Sequence, residues 1–128
     1  MAPIGFRSTT VADESAIRAL LQQAHGFASA DPTLEHRHLC WKYWEPRAGW
    51  EGSRSYILTR GGEIVAHAAL VPAVCSFGNE RLQVLHVIDW AARAQARGAG
   101  NALMQHIATL GDAIVTASGS EQAWPLLP

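Results

Sequence analysis

The chain has 128 residues, 48% of them hydrophobic and 16% charged, with a formal net charge of -1. That length supports one domain that buries roughly two thirds of its unfolded surface, and the composition excludes a disordered chain. The charge lacks the basic footprint of a nucleic-acid binder, no apolar run reaches the roughly 18 residues that cross a bilayer, and nothing at the N-terminus reads as a secretory signal, so a cytoplasmic protein without membrane or nucleic-acid partners is expected.

Ile4 to Ser8 reads as a short first strand. Thr10 stands three residues before Asp13, a capping-box spacing, and Ile17, Leu20, Leu21 and Ala24 follow at helical period, which predicts an amphipathic helix over 11–24. Gly26 to Pro32 breaks it, and residues 33–45 form a second helical candidate that ends at Pro46. Ser55 to Thr59 meets Glu63 to Val71 through Arg60-Gly61-Gly62, a strong hairpin signal. Pro72 marks a bend, a bulge or an edge. Gly78-Asn79 turns the chain into a strand over Leu82 to Ala91. A helix is predicted over 98–110 with Gly111 as its C-cap, then a short buried strand from Ala113 to Ala117. The order β-α-α-β-β-β-α-β predicts an α/β domain over 1–128, with one mixed, mostly antiparallel sheet flanked by helices.

The most informative stretch is Gln95-Ala96-Arg97-Gly98-Ala99-Gly100, which reads Q-x-x-G-x-G between an apolar, β-branched run (Val84 to Trp90) and a helix-period segment. Glycines let backbone approach a ligand closely, and the first N–H groups of a helix have no internal partner and carry the positive end of its dipole. Strand, turn and helix together make a seat for an anion, most naturally a pyrophosphate. A dinucleotide fingerprint needs a third glycine where Leu103 stands and is rejected.

Element order and glycine turn resemble the GNAT superfamily of N-acetyltransferases over nearly the whole chain. The resemblance implies that acetyl-coenzyme A is the co-substrate and a small-molecule amine the acceptor. It implies pyrophosphate donors among the N–H groups of Gln95, Ala96, Arg97, Gly98, Ala99, Gly100 and Asn101, and a pantetheine-binding strand end at Trp90, Ala91 and Ala92. The family usually continues past its fifth strand with a helix and two more strands, so the sheet is expected to be incomplete at the C-terminus. A family tyrosine that protonates the leaving thiolate corresponds to Leu127, and Tyr43 and Tyr56 lie on early elements away from that position.

Acetyl transfer also needs a polarised carbonyl and a base. Strand alternation groups His86 with Ile88 and Trp90, and Asp89 with Leu85, Val87 and Ala91. Asp89, in an apolar run just before the turn, is the better candidate base, with a pKa raised by desolvation. The competing reading has it capping a loop or pairing with an arginine such as Arg54. His86 is the second candidate, against a role as a core histidine.

Trp41, Tyr43, Trp44 and Trp50 border the acceptor region in the resembled fold, but packing of helix 33–45 on the sheet is favoured. His36 and Cys40 share a helical face while His38 points elsewhere, too few ligands for a structural zinc, so no metal is expected. Cys40 and Cys75 read as half-buried free thiols in a reducing compartment. Two functions follow: an N-acetyltransferase, or a catalytically weak or inactive acyl-coenzyme A-binding module or fragment of a longer acetyltransferase. The apolar end Ala123-Trp124-Pro125-Leu126-Leu127 predicts a homodimer through the C-terminal region.

Overall fold

The computed structural model describes residues 3–116. Five strands form one sheet in the order β1-β2-β3-β4-β5, with β1 at Ile4–Ser8, β2 at Ser55–Arg60, β3 at Glu63–Phe77, β4 at Glu80–Ala92 and β5 at Ala113–Val115. The first three pairings are antiparallel and β4 with β5 is parallel, because the helix between them carries the chain back across one face. This is the mixed, mostly antiparallel sheet expected. The expectations attached to Ser118–Pro128, namely the shortened architecture, Leu127 and the dimer contact, lie outside the described residues.

Helix α1 (Glu14–His25) follows a single turn capped by Thr10, whose box with Asp13 forms as its spacing predicts. Helix α2 (His36–Leu39) is only one turn long and widens into a π-helical turn over Cys40–Trp44. Helix α3 spans Ala99–Ile107. The sheet separates two cores. Ile17, Leu20, Leu21, Leu39 and Tyr43 pack from α1 and α2 onto Ile57, Ala69 and Ala91, while Leu103, Met104 and Ile107 pack from α3 onto Leu58, Leu70, Leu85 and Val87.

Pro72 pairs with Leu85 but lies beyond the start of β2, so its missing N–H falls on an edge that has no strand to bond, as the sequence suggested. Gly111 is a correction: α3 ends at Ile107 with Ala108 in its C-cap position. Gly111 serves packing instead, since a Cβ there would lie 2.8 Å from Leu85 Cγ.

Candidate active site

Strand β4 breaks register near its end. His67 faces Ala91 and Ala69 faces Ile88, so Ala68 alone spans Asp89 and Trp90, which is a β-bulge. Asp89 takes φ 52°, and it is the non-glycine residue with positive φ among those described. This corrects the expected alternation. Ile88, Asp89 and Ala91 all face α1 and α2, whereas Leu85, Val87, Trp90 and Ala92 face α3.

Among the described residues the other edge of β4 is open at the bulge, since pairing with β5 covers only Val84, Leu85 and His86. Arg93 N–H donates to Val65 O, so alternate residues back along the strand turn Ala91 toward β3 and turn Trp90 and Ala92 toward the unpaired side. The Trp90 carbonyl on that side accepts from His25 Nε2 at 3.1 Å. Beyond it the chain enters the glycine turn. Ala96 and Ala99 N–H groups bond to Arg93 and Ala96 carbonyls, while those of Gln95, Arg97, Gly98, Gly100 and Asn101 have no acceptor among the described residues. Gly98, the N-cap of α3, sits at φ 80°, where a side chain is strained. Gly100 serves closeness: Trp90 Nε1 donates to its carbonyl at 3.1 Å, and a Cβ at Gly100 would lie 3.3 Å from that nitrogen. Gln95, Arg97 and Gly98 are exposed, and Ala96 and Ala99 anchor the turn in the core.

On the opposite face Asp89 anchors a polar cluster. Lys42 Nζ donates to its Oδ2 at 2.6 Å and the Tyr43 hydroxyl to the same oxygen at 2.5 Å. Oδ1 has no partner among the described residues. Burial works to raise the Asp89 pKa, but the Lys42 charge and the two hydrogen bonds outweigh it and hold the carboxyl below its ordinary value. The expected upward shift is therefore wrong, because desolvation acted on a carboxylate that has a buried cation beside it. The expected partner is wrong too. Arg54 donates instead to the carbonyls of Trp41, Lys42 and Glu45 at 2.9, 3.0 and 2.6 Å, fixing the end of the π turn that presents Lys42 and Tyr43. The Tyr43 hydroxyl stays protonated, since burial and then the Asp89 charge push its pKa above the ordinary tyrosine value.

His67, fully buried on β3, closes the cluster. A chain of donors runs one way. Trp44 Nε1 donates to Thr9 Oγ1 at 3.1 Å, and Thr9 to Ser55 Oγ at 2.8 Å. Ser55 meets His67 Nε2 at 2.8 Å, and His67 Nδ1 meets the Asp89 carbonyl at 2.9 Å. A carbonyl only accepts, so Nδ1 carries the proton and Ser55 donates to Nε2. Burial drives the His67 pKa down to about 4, so the ring is neutral. The Asp89–Trp90 peptide is trans, so anchoring its carbonyl on His67 turns its N–H the other way, toward the open edge.

His86 lies in the stretch of β4 paired with β5, half-buried, and no hydrogen bond links it to Asp89 among the described residues. Tyr43 and Trp44 are packed as favoured, but Trp41 is 63% exposed. Lys42, Tyr43 and His67 were not singled out for this site. Their contacts to Asp89 span 47, 46 and 22 residues, and no local pattern announces them.

A family profile described as the acetyltransferase (GNAT) domain matches residues 5–120. The chain belongs to the GNAT acetyltransferase family. No curated protein matches it by sequence. Among solved structures, a predicted acetyltransferase of Clostridium acetobutylicum described with acetyl-CoA is 10% identical, with a TM-score of 0.68 over 97% of this chain and 86% of that one. A Trypanosoma brucei acetyltransferase is 18% identical, with a TM-score of 0.61 over 96% of this chain and 87% of that one. An Enterococcus faecalis protein of unknown function is 14% identical, with a TM-score of 0.63 over 85% of this chain. The chain spans only 26% of that last protein. At such identities these structures establish the GNAT fold alone. No helix among the described residues is long and apolar enough to cross a membrane.

Proposed function

We propose that this GNAT domain transfers an acetyl group from acetyl-coenzyme A to a small amine. The observation that carries the reading is the edge of β4 that is unpaired among the described residues, running straight into a turn at the start of α3 in which five N–H groups have no acceptor among those residues. Gln95, Arg97, Gly98, Gly100 and Asn101 offer the donors of the pyrophosphate seat, and Ala96 and Ala99, whose N–H groups are already bonded, anchor it; backbone donors and the helix dipole favour an anion there. Trp90, Ala91 and Ala92 form the pantetheine strand end, with Trp90 and Ala92 offering the backbone groups and Ala91 tying the strand to β3. The Trp90 N–H, aimed by His67, polarises the thioester carbonyl. The amine nitrogen attacks the carbonyl carbon, a C–N bond forms, the C–S bond breaks, and the thiolate takes up a proton.

Asp89 remains the stronger candidate for the amine side. Its Oδ1 has no partner among the described residues, and an ionised carboxylate attracts an amine that arrives as an ammonium ion. His86 is the second candidate, as an imidazole that accepts the proton. The depressed Asp89 pKa supports the other reading, an acyl-coenzyme A-binding module with weak or no turnover, because such a carboxylate is a poor base near neutral pH.

A thiol-release assay over a panel of amines, run beside calorimetry with coenzyme A, separates the two. Turnover lost in Asp89→Asn with coenzyme A affinity retained supports the transferase. Binding without turnover supports the module, and absence of binding refutes both.

A further inference from the structure

The fold assembles a second set of chemically reactive side chains at the other end of the helical layer. Glu14 opens α1, His36 opens α2, and Cys40 follows His36 by one turn. The sequence brings only His36 and Cys40 to one face; the tertiary structure adds Glu14 from 22 residues away. His36 Nδ1 lies 2.5 Å from Glu14 Oε1, and Cys40 Sγ lies 3.6 and 3.8 Å from the two ring nitrogens. One ligand atom from each residue falls within 4.8 Å of the others.

We propose that Glu14, His36 and Cys40 bind a divalent zinc-type cation that ties the start of α1 to α2. Metal–ligand bonds of about 2.0–2.3 Å in a tetrahedron set ligand atoms roughly 3.3–3.8 Å apart. The sulfur–nitrogen spacings already lie in that range, the Glu14–His36 contact must open by about 1 Å, and the Glu14 oxygen lies within 4.8 Å of the sulfur. The carboxylate is pre-oriented. Arg18 holds Glu14 Oε2 at 2.9 Å and is itself fixed by donating to the Leu34 carbonyl at 2.9 Å, leaving Oε1 turned to the imidazole. Glu14 shows 14% of its side-chain surface and His36 61%, so the set is anchored on one side and reachable on the other. One thiolate, one imidazole and one carboxylate suit zinc and its cobalt surrogate rather than magnesium or calcium, which take oxygen ligands. Three protein ligands leave a fourth position for water. Binding releases the thiol proton to solvent, and the imidazole ligates as the neutral ring with its proton on the nitrogen that does not face the ion. Cys40 also begins the π turn that carries Lys42 and Tyr43, so the ion would brace the segment that holds Asp89.

The test is Zn²⁺ calorimetry and Co²⁺ absorption on metal-stripped protein. One ion per chain is expected, with a thiolate-to-cobalt charge-transfer band. Cys40→Ser should remove the band, and His36→Asn and Glu14→Gln should each weaken Zn²⁺ binding at least tenfold, while Cys75→Ser leaves both signals unchanged. Circular dichroism checks each fold. If Cys40→Ser unfolds, exposed His36→Asn gives the same reading. No Zn²⁺ binding, or binding that follows Cys75 rather than Cys40, overturns the site.

Discussion

Replacing Lys42 by methionine isolates what holds Asp89 in its strained place. The methionine keeps most of the apolar stem and removes the charge. The pair sits 2.6 Å apart with 11% and 21% of the side-chain surfaces exposed. The gross attraction of unit charges at that separation is about 6 kcal/mol at an effective dielectric of about 20. Desolvation offsets much of this in the intact pair, but in Lys42→Met the carboxylate stays buried without its cation. Breaking a buried pair costs about 3–5 kcal/mol, and the residual exposure here places the expected loss near the lower end, about 3 kcal/mol. The pH dependence carries the sharper signature. In the native protein the Asp89 pKa is depressed, so its contribution is present above the unfolded pKa and is lost as pH falls through the lower folded value. In the variant, burial raises that pKa above the unfolded value, and the penalty disappears as the group takes up a proton. The stability gap between the two proteins is therefore widest near pH 7 and shrinks toward about pH 4. Urea unfolding of both proteins across that range reads it directly. Lys42 also helps to hold the His67 pKa down, so its loss lets that pKa rise and narrows the gap further as pH falls. A gap below about 0.5 kcal/mol at neutral pH is what a surface pair gives, and it or a gap independent of pH would refute the reasoning.

Gly98→Val should abolish coenzyme A binding by calorimetry while leaving the far-ultraviolet spectrum native, because φ 80° is strained for a β-branched residue and the turn must shift its N–H groups. His25→Ala frees the Trp90 carbonyl from an internal donor and should tighten coenzyme A by roughly 2–10-fold, the value of one ordinary hydrogen bond; weaker binding would mean that His25 helps to hold the ligand. His67→Gln should lower kcat by about tenfold or more with little change in KM, since it releases the peptide whose N–H is proposed to polarise the carbonyl; an effect confined to KM would contradict that role. The native protein should also lose up to about 3 kcal/mol between pH 6.5 and 4, because the unfolded chain protonates His67 first, and that slope should vanish in His67→Gln.

The parts of the fold legible in the sequence are those written in local spacing. The Thr10–Asp13 box, the Gly61-Gly62 hairpin and the amphipathic α1 and α3 each rest on contacts a few residues apart, and each formed close to its expected place. The glycine turn was legible for the same reason. The site's opposite face was not. A period of two along β4 assigns every side chain to a face, and one inserted residue at Asp89 overturns every assignment beyond it. Nothing in Ile88-Asp89-Trp90 marks a bulge, because the residue that stabilises it, His67, stands 22 positions earlier and fixes it through a backbone carbonyl. Lys42 and Tyr43 were hidden differently. An ordinary helix turns successive residues about 100° apart, and it is the π turn, ended by Arg54 on three carbonyls, that lets neighbours converge on one carboxylate oxygen.

The same features explain why a strained aspartate persists at this point of β4. A non-glycine residue in the left-handed region costs of order 1–3 kcal/mol and endures only when its surroundings over-determine it. Here the carbonyl is held by His67 and the carboxylate by Lys42 and Tyr43, so both ends of the residue are fixed from opposite directions. Relaxing φ 52° to an ordinary extended value would remove the bulge and turn the side chain to the α3 face, where apolar Val87 and Leu103 lie. That would separate the carboxylate from its cation and bury it among hydrocarbon. The strain is thus smaller than the loss of about 3 kcal/mol that relaxation would bring from the ion pair alone. The consequence reaches the other edge of β4, because the peptide that His67 anchors is the one whose N–H points to the edge left open among the described residues.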